Sequence, residues 1–155
     1  MATSPAPEGS HTLTPYLVVH DGNVAIDFYR RAFGAELLSR MDGPGGTVGH
    51  ASLQIGDSRL MLSDPFPQGR YKPPSDTGAT GSGLYLYVDD VDAAFARAVE
   101  AGAEALMQPE DMFWGDRWCS VQDPFGHIWE LATHVEDVSE ADMAERARAM
   151  MAGME

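Results

Sequence analysis

What most constrains the fold of this chain is that one pattern of apolar residues and turns occurs in it twice. Tyr16, Leu17 and Val19 fall on Tyr85, Leu86 and Val88 at an offset of 69, and Met61 and Leu62 fall on Glu130 and Leu131 at the same offset. Ala35 and Glu36 reach Ala103 and Glu104 at 68, so one residue is lost, and the turn before the second helix is where we expect the loss. Two short units that each leave an apolar face uncovered fold by covering one another.

Each copy reads as strand, helix and three strands. In the first, 13–19 is apolar with Pro15 near its start, a position open to a first or edge residue. Ala25, Phe28, Tyr29, Ala32 and Phe33 then recur at helical spacing over 24–33, and Gly34 supplies the stop. Strands are predicted at 36–41, 48–55 and 59–62, separated by the turns DGPGG and Gly56-Asp57. In the second copy a strand at 84–88 precedes a helix over 91–101 with Val91, Ala94, Phe95, Ala98 and Val99 on one face and Gly102 after it. Strands at 104–107, 117–122 and 127–132 complete it, the last two joined by Asp123-Pro124-Phe125-Gly126. The predicted class is α+β: two βαβββ modules, residues 12–63 and 84–138, forming a strongly curved mixed sheet.

Three segments flank or separate the modules. Residues 1–11, small, polar and proline-containing, are predicted to lack order. Residues 64–83, rich in Pro, Gly, Ser and Thr, exceed an ordinary loop and are expected to be a linker, a lid or both. Residues 139–155 are predicted to carry a helix capped by Ser139, with Asp142 at its third position and Met143, Ala147, Met150 and Met151 as a packing stripe.

Composition excludes several classes of function. A net charge of −14, from 24 acidic against 10 basic residues, repels phosphate backbones and anionic lipid, so neither nucleic acid nor membrane is an expected partner. No apolar run reaches the roughly 18 residues of a membrane span, and the first ten residues lack the pattern of a signal peptide, so a cytoplasmic location is expected. The single cysteine, Cys119, agrees with a reducing compartment and reads as a small buried side chain.

The stretch 113–134, FWGDRWCSVQDPFGHIWELATH, concentrates what chemistry the chain has. Strand alternation puts Ile128, Glu130 and Ala132 on one face and His127, Trp129 and Leu131 on the other. A carboxylate such as Glu130 on an apolar wall serves as a general base or pairs with a cation, for which Arg59 and Arg117 are candidates. His50 shares a polar face with Ser52 and Gln54 and could touch a ligand or assist the base. His127 reads as a turn cap, and His134 is expected to face solvent. Phe113, Trp114 and Trp118 bracket Gly115 and Asp116, in what reads as a loop following Pro109, Glu110 and Asp111. Large aromatics there either stack on a flat or cationic ligand or cover a dimer interface. Tyr16 and Tyr85, at matched places on the two first strands, are further ligand candidates.

The segments YLVVHDGNVAIDFYRRAFGAELL, IGDSRLMLSD and DPFGHIWELATHVEDV resemble the vicinal oxygen chelate superfamily, which unites glyoxalases, bleomycin-resistance proteins and dioxygenases, and within it the PhnB-like branch. The resemblance covers residues 12–138 and implies a cup-shaped cavity holding a small molecule, usually within a homodimer. It also implies a divalent metal held near the start of each module's first strand and on each last strand. Those positions correspond here to Thr14, Met61, Gly83 and Glu130, of which only Glu130 ligates well. We therefore expect no classical metal centre and no other cofactor; an altered site recruiting His11 or His50 stays open. Three readings remain: a protein that binds a small molecule in an acidic, aromatic cup lined by Tyr16, Arg59, Met61, Tyr85, Trp114, Arg117 and Trp118; a lyase or isomerase using Glu130, with help from His50; and an interaction protein whose cup is filled by its own side chains.

Overall fold

The computed structural model describes residues 3–154; Met1 and Ala2 of the expected lead-in, and Glu155 at the end of the expected helical segment, lie outside the described residues. The first module is β1 (Tyr16–Val18), α1 (Gly22–Phe33), β2 (Glu36–Asp42), β3 (Val48–Ile55) and β4 (Ser58–Ser63), with a 3-10 turn at Pro44–Gly46. A four-residue helix, α2 (Pro74–Thr77), lies between the modules. The second module is β5 (Gly83–Tyr87), α3 (Val91–Ala101), β6 (Glu104–Asp111), β7 (Asp116–Gln122) and β8 (Ile128–His134), and α4 (Glu140–Ala152) follows. The architecture is α+β, built as two four-stranded mixed sheets of the same order, β1-β4-β3-β2 and β5-β8-β7-β6. In each the first strand runs parallel to the last, since the helix crosses over before the antiparallel meander begins.

The repeat extends to the capping groups. Asp21 accepts from Val24 N and Asp90 from Ala93 N, while Gly34 and Gly102 close the helices. The caps at the two helix starts keep the offset of 69 and those at the ends fall to 68, so the missing residue is lost inside α3, which has 11 residues against the 12 of α1, and not in the turn before it. A side chain at the C-terminal end of each last strand ties the helix layer down: Asp64 accepts from the backbone N–H of Gly22 and of Val48, and its counterpart Thr133 accepts from Val91 N–H while donating to the Val88 carbonyl. The two helices also cap each other, with Arg97 donating to the carbonyl of Arg31 at 2.6 Å and Arg31 to that of Ala101 at 3.3 Å.

The core lies between the helices and the faces of the sheets that they cover. Leu53, Leu62, Val121 and Leu131 from the strands meet Phe28 and Tyr29 of α1 there, all buried. Asp123, in the turn between β7 and β8, is 4% exposed and accepts from Tyr29 Oη, Trp129 Nε1 and the N–H groups of Phe125 and His127. One carboxylate thus shapes the turn and fastens it to the helix of the other module. Burial, then the neighbouring Asp123, pushes the Tyr29 hydroxyl well above its ordinary pKa. Cys119 is buried, and burial raises its thiol to about 11, leaving an inert side chain.

Several expectations are corrected. Residues 7–11, predicted to lack order, turn back on the first sheet: Arg59 donates to the Glu8 carbonyl and to Ser10 Oγ, and His11 Nε2 stands 2.8 Å from the Asp57 carbonyl. Within the expected linker Pro73 and Pro74 are buried, and Pro74 lies against Gly126 of the Asp123 turn, at φ 92°. β6 continues through Pro109 to Asp111 by a register shift, which an edge strand accommodates, so the aromatic tip is only the short turn before Asp116. Ser139 caps α4 as expected, but no residue of that helix is buried, and Met150 and Met151 are exposed.

Candidate ligand-binding site

The sheet faces turned away from the helices are open. Alternation places Tyr16, Val18, His50, Ser52, Arg59, Met61 and Ser63 on this face of the first sheet, and Tyr85, Tyr87, Trp118, Ser120, Glu130, Ala132 and Asp116 on that of the second. Met61 beside Tyr16 and Glu130 beside Tyr85 occupy the same register in the two sheets. Tyr16, Tyr85 and Tyr87 are 40%, 46% and 61% exposed, an unusual concentration of large rings at the surface.

On the second sheet these rings are organised by Asp116, itself 2% exposed. Its Oδ2 accepts from Tyr85 Oη at 2.8 Å, Tyr87 Oη at 2.9 Å and Trp114 Nε1 at 3.2 Å. Its Oδ1 lies 2.9 Å from His134 Nδ1, and His134 Nε2 lies 2.7 Å from Asp137 Oδ1. Burial works against the Asp116 charge, but the hydrogen bonds from His134, Tyr85, Tyr87 and Trp114 outweigh it and hold the group below the ordinary carboxylate value. The Tyr85 hydroxyl is pushed up by burial and by its bond to Asp116, and the Tyr87 hydroxyl by that bond first and burial second. Carboxylates facing both ring nitrogens, Asp137 the stronger, raise the pKa of His134, so it favours the imidazolium. His134 is half exposed, as expected, yet it serves as a bridge rather than a free surface group.

The turn that presents Trp114 is held from behind. Gly115 has φ 99°, and a Cβ there would stand 2.1 Å from the Glu136 carbonyl oxygen. The Gly115 carbonyl accepts from the N–H groups of Val135 and Glu136, while Arg146 of α4 donates to the Phe113 carbonyl and to both Glu136 oxygens. Trp114 packs edge-on against Phe113 and Trp118 at centroid distances of 5.1 and 6.1 Å. Tyr85, Tyr87 and Trp114 therefore meet at one buried negative charge, and Trp118 extends the platform through Trp114. Their π-faces, with that charge behind them, suit a flat or cationic group.

Glu130 lies beside this platform, half-buried, and its Oε2 is buried with no hydrogen-bond partner among the described residues. Arg117 does not reach it. It points to the helix-covered side, 2.8 Å from Asp92 and 3.2 Å from Asp111, which removes it from the candidate site and from the cations available to Glu130. Arg59 is on the open face but engaged by the Glu8 carbonyl and Ser10. His50 is there too, 3.3 Å from Ser52 Oγ and 5.8 Å from the Tyr16 ring. His127, as expected, serves the fold: its Nε2 is 2.9 Å from the Val18 carbonyl.

The donor set does not suit a divalent metal. At the four relevant positions stand Thr14, Met61, Gly83 and Glu130, and among the described residues no three His, Cys, Asp or Glu side chains converge. His11 and His50 do not complete a set around Glu130. Nor is any helix among the described residues long and apolar enough to cross a membrane.

Sequence reasoning missed Asp116, Tyr87 and the bridging role of His134. Tyr85 and Tyr87, two apart on one strand, were a readable sign of a shared ring-bearing face; the convergence of a separate turn and strand end on Asp116 was not readable. Residues 66–71, within the segment expected to be a linker, a lid or both, line a cavity with Tyr16, on which Tyr71 stacks at 6.2 Å.

Comparison with known proteins agrees with this architecture. Residues 10–131 match the family model described as Glyoxalase/Bleomycin resistance protein/Dioxygenase superfamily. The uncharacterized protein Mb0911c of Mycobacterium bovis is 46% identical over 130 residues, 82% of this chain and 86% of that protein. Among solved structures, TioX from Micromonospora sp. ML1 is 31% identical with a TM-score of 0.65, over 81% of this chain and 100% of TioX. TnmS3, an antibiotic binding protein from Streptomyces sp. CB03234, is 32% identical with a TM-score of 0.60, over 81% of this chain and 96% of TnmS3. With the family model spanning both sheets, the chain belongs to the glyoxalase/bleomycin resistance protein/dioxygenase superfamily.

Proposed function

We propose that the protein binds a small flat or cationic molecule on its open face, in the manner of a sequestering or resistance protein, without a metal centre. What carries this reading is the arrangement of Tyr85, Tyr87 and Trp114 around buried Asp116, with Trp118 against Trp114. The platform is fixed before any ligand arrives, so binding loses little side-chain freedom. The chain's charge of −14 attracts a cationic ligand over the same face. The antibiotic binding described for TnmS3 supports the same use of the fold here. We place the protein in the PhnB-like branch, in the cytoplasm, and as a homodimer whose second copy covers part of the open face; light scattering should give a mass near twice 16.8 kDa. The test of binding is tryptophan emission during titration with bleomycin, an N-methylquinolinium salt and benzyltrimethylammonium. Saturable quenching that Trp114→Ala abolishes is expected, and unchanged emission across all three would refute the reading.

A second reading is favoured by one observation, the buried and unpartnered Glu130 Oε2. An oxygen without a partner is free to take a proton from a bound substrate, and the protein would then be a lyase or isomerase. Glu130→Gln keeps the shape and removes the base. Turnover by the wild type that this variant loses would establish the enzyme, whereas equal ligand binding by both with no turnover leaves the binding reading.

A further inference from the structure

We propose that the cavity between β1, the end of β4 and residues 66–71 is a separate binding site for a small planar aromatic carboxylate. The cavity has a volume of about 460 Å³, room for a one- or two-ring molecule, and Tyr16, Ser63, Phe66, Arg70 and Tyr71 line it.

Ser63 on its floor is the first argument. The residue is 1% exposed, and its hydroxyl has no hydrogen-bond partner among the described residues. A buried hydroxyl without a partner is costly and calls for an explanation. The fold does not supply one: Ser63 pairs with Val18 in the first sheet, and the equivalent place in the second, opposite Tyr87, is Ala132. The module is therefore built equally well without the hydroxyl, which is left to meet something inside the cavity.

The walls and the charge give the ligand class. Tyr16 and Tyr71 stack at 6.2 Å with an interplanar angle of 29°, and Phe66 adds a third ring. Arg70 and Lys72 flank Tyr71, and neither makes an ion pair or hydrogen bond among the described residues, whereas Arg31, Arg40, Arg117 and Arg146 all face carboxylates. Asp64, next to Ser63, is already engaged with the N–H groups of Gly22 and Val48. An anion at this mouth meets the free Arg70 guanidinium, and the protein's more distant negative charges are screened beyond about 8 Å at physiological salt. The ring then lies on the tyrosine wall, with its carboxylate at the Arg70 guanidinium and an oxygen within reach of Ser63.

This site is independent of the Asp116 platform, which prefers the opposite charge, so either can fail alone. The test is isothermal titration of the full chain with 2-naphthoate and with 2-naphthamide, in the wild type, Arg70→Ala, Ser63→Ala and Trp114→Ala. We expect one naphthoate per chain bound at least about tenfold more tightly than the amide, a preference that Arg70→Ala removes. Ser63→Ala should weaken naphthoate by roughly fivefold without lowering the melting temperature, and Trp114→Ala should leave it unchanged. No binding of naphthoate, equal binding of acid and amide, indifference to Arg70→Ala, or loss in Trp114→Ala would each overturn the assignment.

Discussion

Replacing Asp116 with alanine tests the organisation of the open face most directly. The substitution removes the common acceptor of Tyr85 Oη, Tyr87 Oη and Trp114 Nε1 and the partner of His134 Nδ1. Hydrogen bonds to a charged group contribute about 1.5–3 kcal/mol each, so a naive sum over four would be roughly 6–12 kcal/mol. Two effects reduce it. Tyr85 and Tyr87 are 46% and 61% exposed and can turn their hydroxyls to water, as half-exposed His134 can turn its ring. The wild type also bears the cost of burying the carboxylate, which the variant escapes. A net loss of about 2–3 kcal/mol follows, or roughly 4–12 °C in melting temperature for a chain of this size. Asp116→Asn should lose less, about 1 kcal/mol, because its carbonyl can face the three donors while its amide donates to neutral His134. Thermal unfolding by circular dichroism at pH 7 measures both, and the Trp114 indole, freed from its acceptor, should shift the emission spectrum in the alanine variant alone. A melting temperature within about 2 °C of wild type for Asp116→Ala, with unchanged emission, would refute the view that this carboxylate holds the platform.

Three further outcomes follow from the same structure. Gly115→Ala places a Cβ 2.1 Å from the Glu136 carbonyl at a φ of 99°, so near-UV circular dichroism should show the Trp114 turn displaced and stability should fall by at least about 2 kcal/mol in urea unfolding. Asp64→Ala leaves Val48 N–H and the Gly22 N–H at the start of α1 without their partner, for a loss of about 2–4 kcal/mol, while Thr133→Ala, which frees Val91 N–H and the Val88 carbonyl, should cost about half as much. The pH profile of melting temperature should have a plateau from roughly pH 4 to 6.5. Asp116, with its pKa lowered on folding, contributes above its unfolded value and loses that contribution as pH falls through the folded one; His134, with its pKa raised, contributes fully below its unfolded value and loses that as pH rises through the folded one, so His134→Asn should flatten the alkaline decline.

The modules were legible because both periodicities are local. Apolar residues at helical spacing, two glycine stops and alternating strands report on neighbours a few residues apart, and the repeat supplied each pattern a second time. Residues whose partners are distant were misjudged. Arg117 and Trp118 were both assigned to the cup, yet neighbours on one strand face opposite ways, and Arg117 meets Asp92 of α3 on the helix-covered side. The N-terminal segment has no periodicity of its own and is held by Arg59, some fifty residues away. Asp116 looked like an ordinary turn residue, because nothing near it in sequence reveals that Tyr85, Tyr87 and His134 converge there.

The divergence of the two copies carries the functional argument. Where the copies still agree, at Asp21 and Asp90 or Leu62 and Leu131, the residues cap helices or fill the core. On the open face they differ: Met61 stands against Glu130, Ser63 against Ala132, and Val18 against Tyr87. A scaffold selected only for stability would gain little from large rings and polar groups on a face that its helices leave uncovered. It would have still less reason to set a buried charge behind exposed rings in one copy and an unpartnered hydroxyl beside a free guanidinium in the other. The first sheet therefore presents positive charge and a hydroxyl to the space in front of it, and the second presents π-faces backed by a carboxylate. On the proposed reading the duplicated fold carries an asymmetric pair of binding surfaces, and the charge preference of each is what the proposed titrations read.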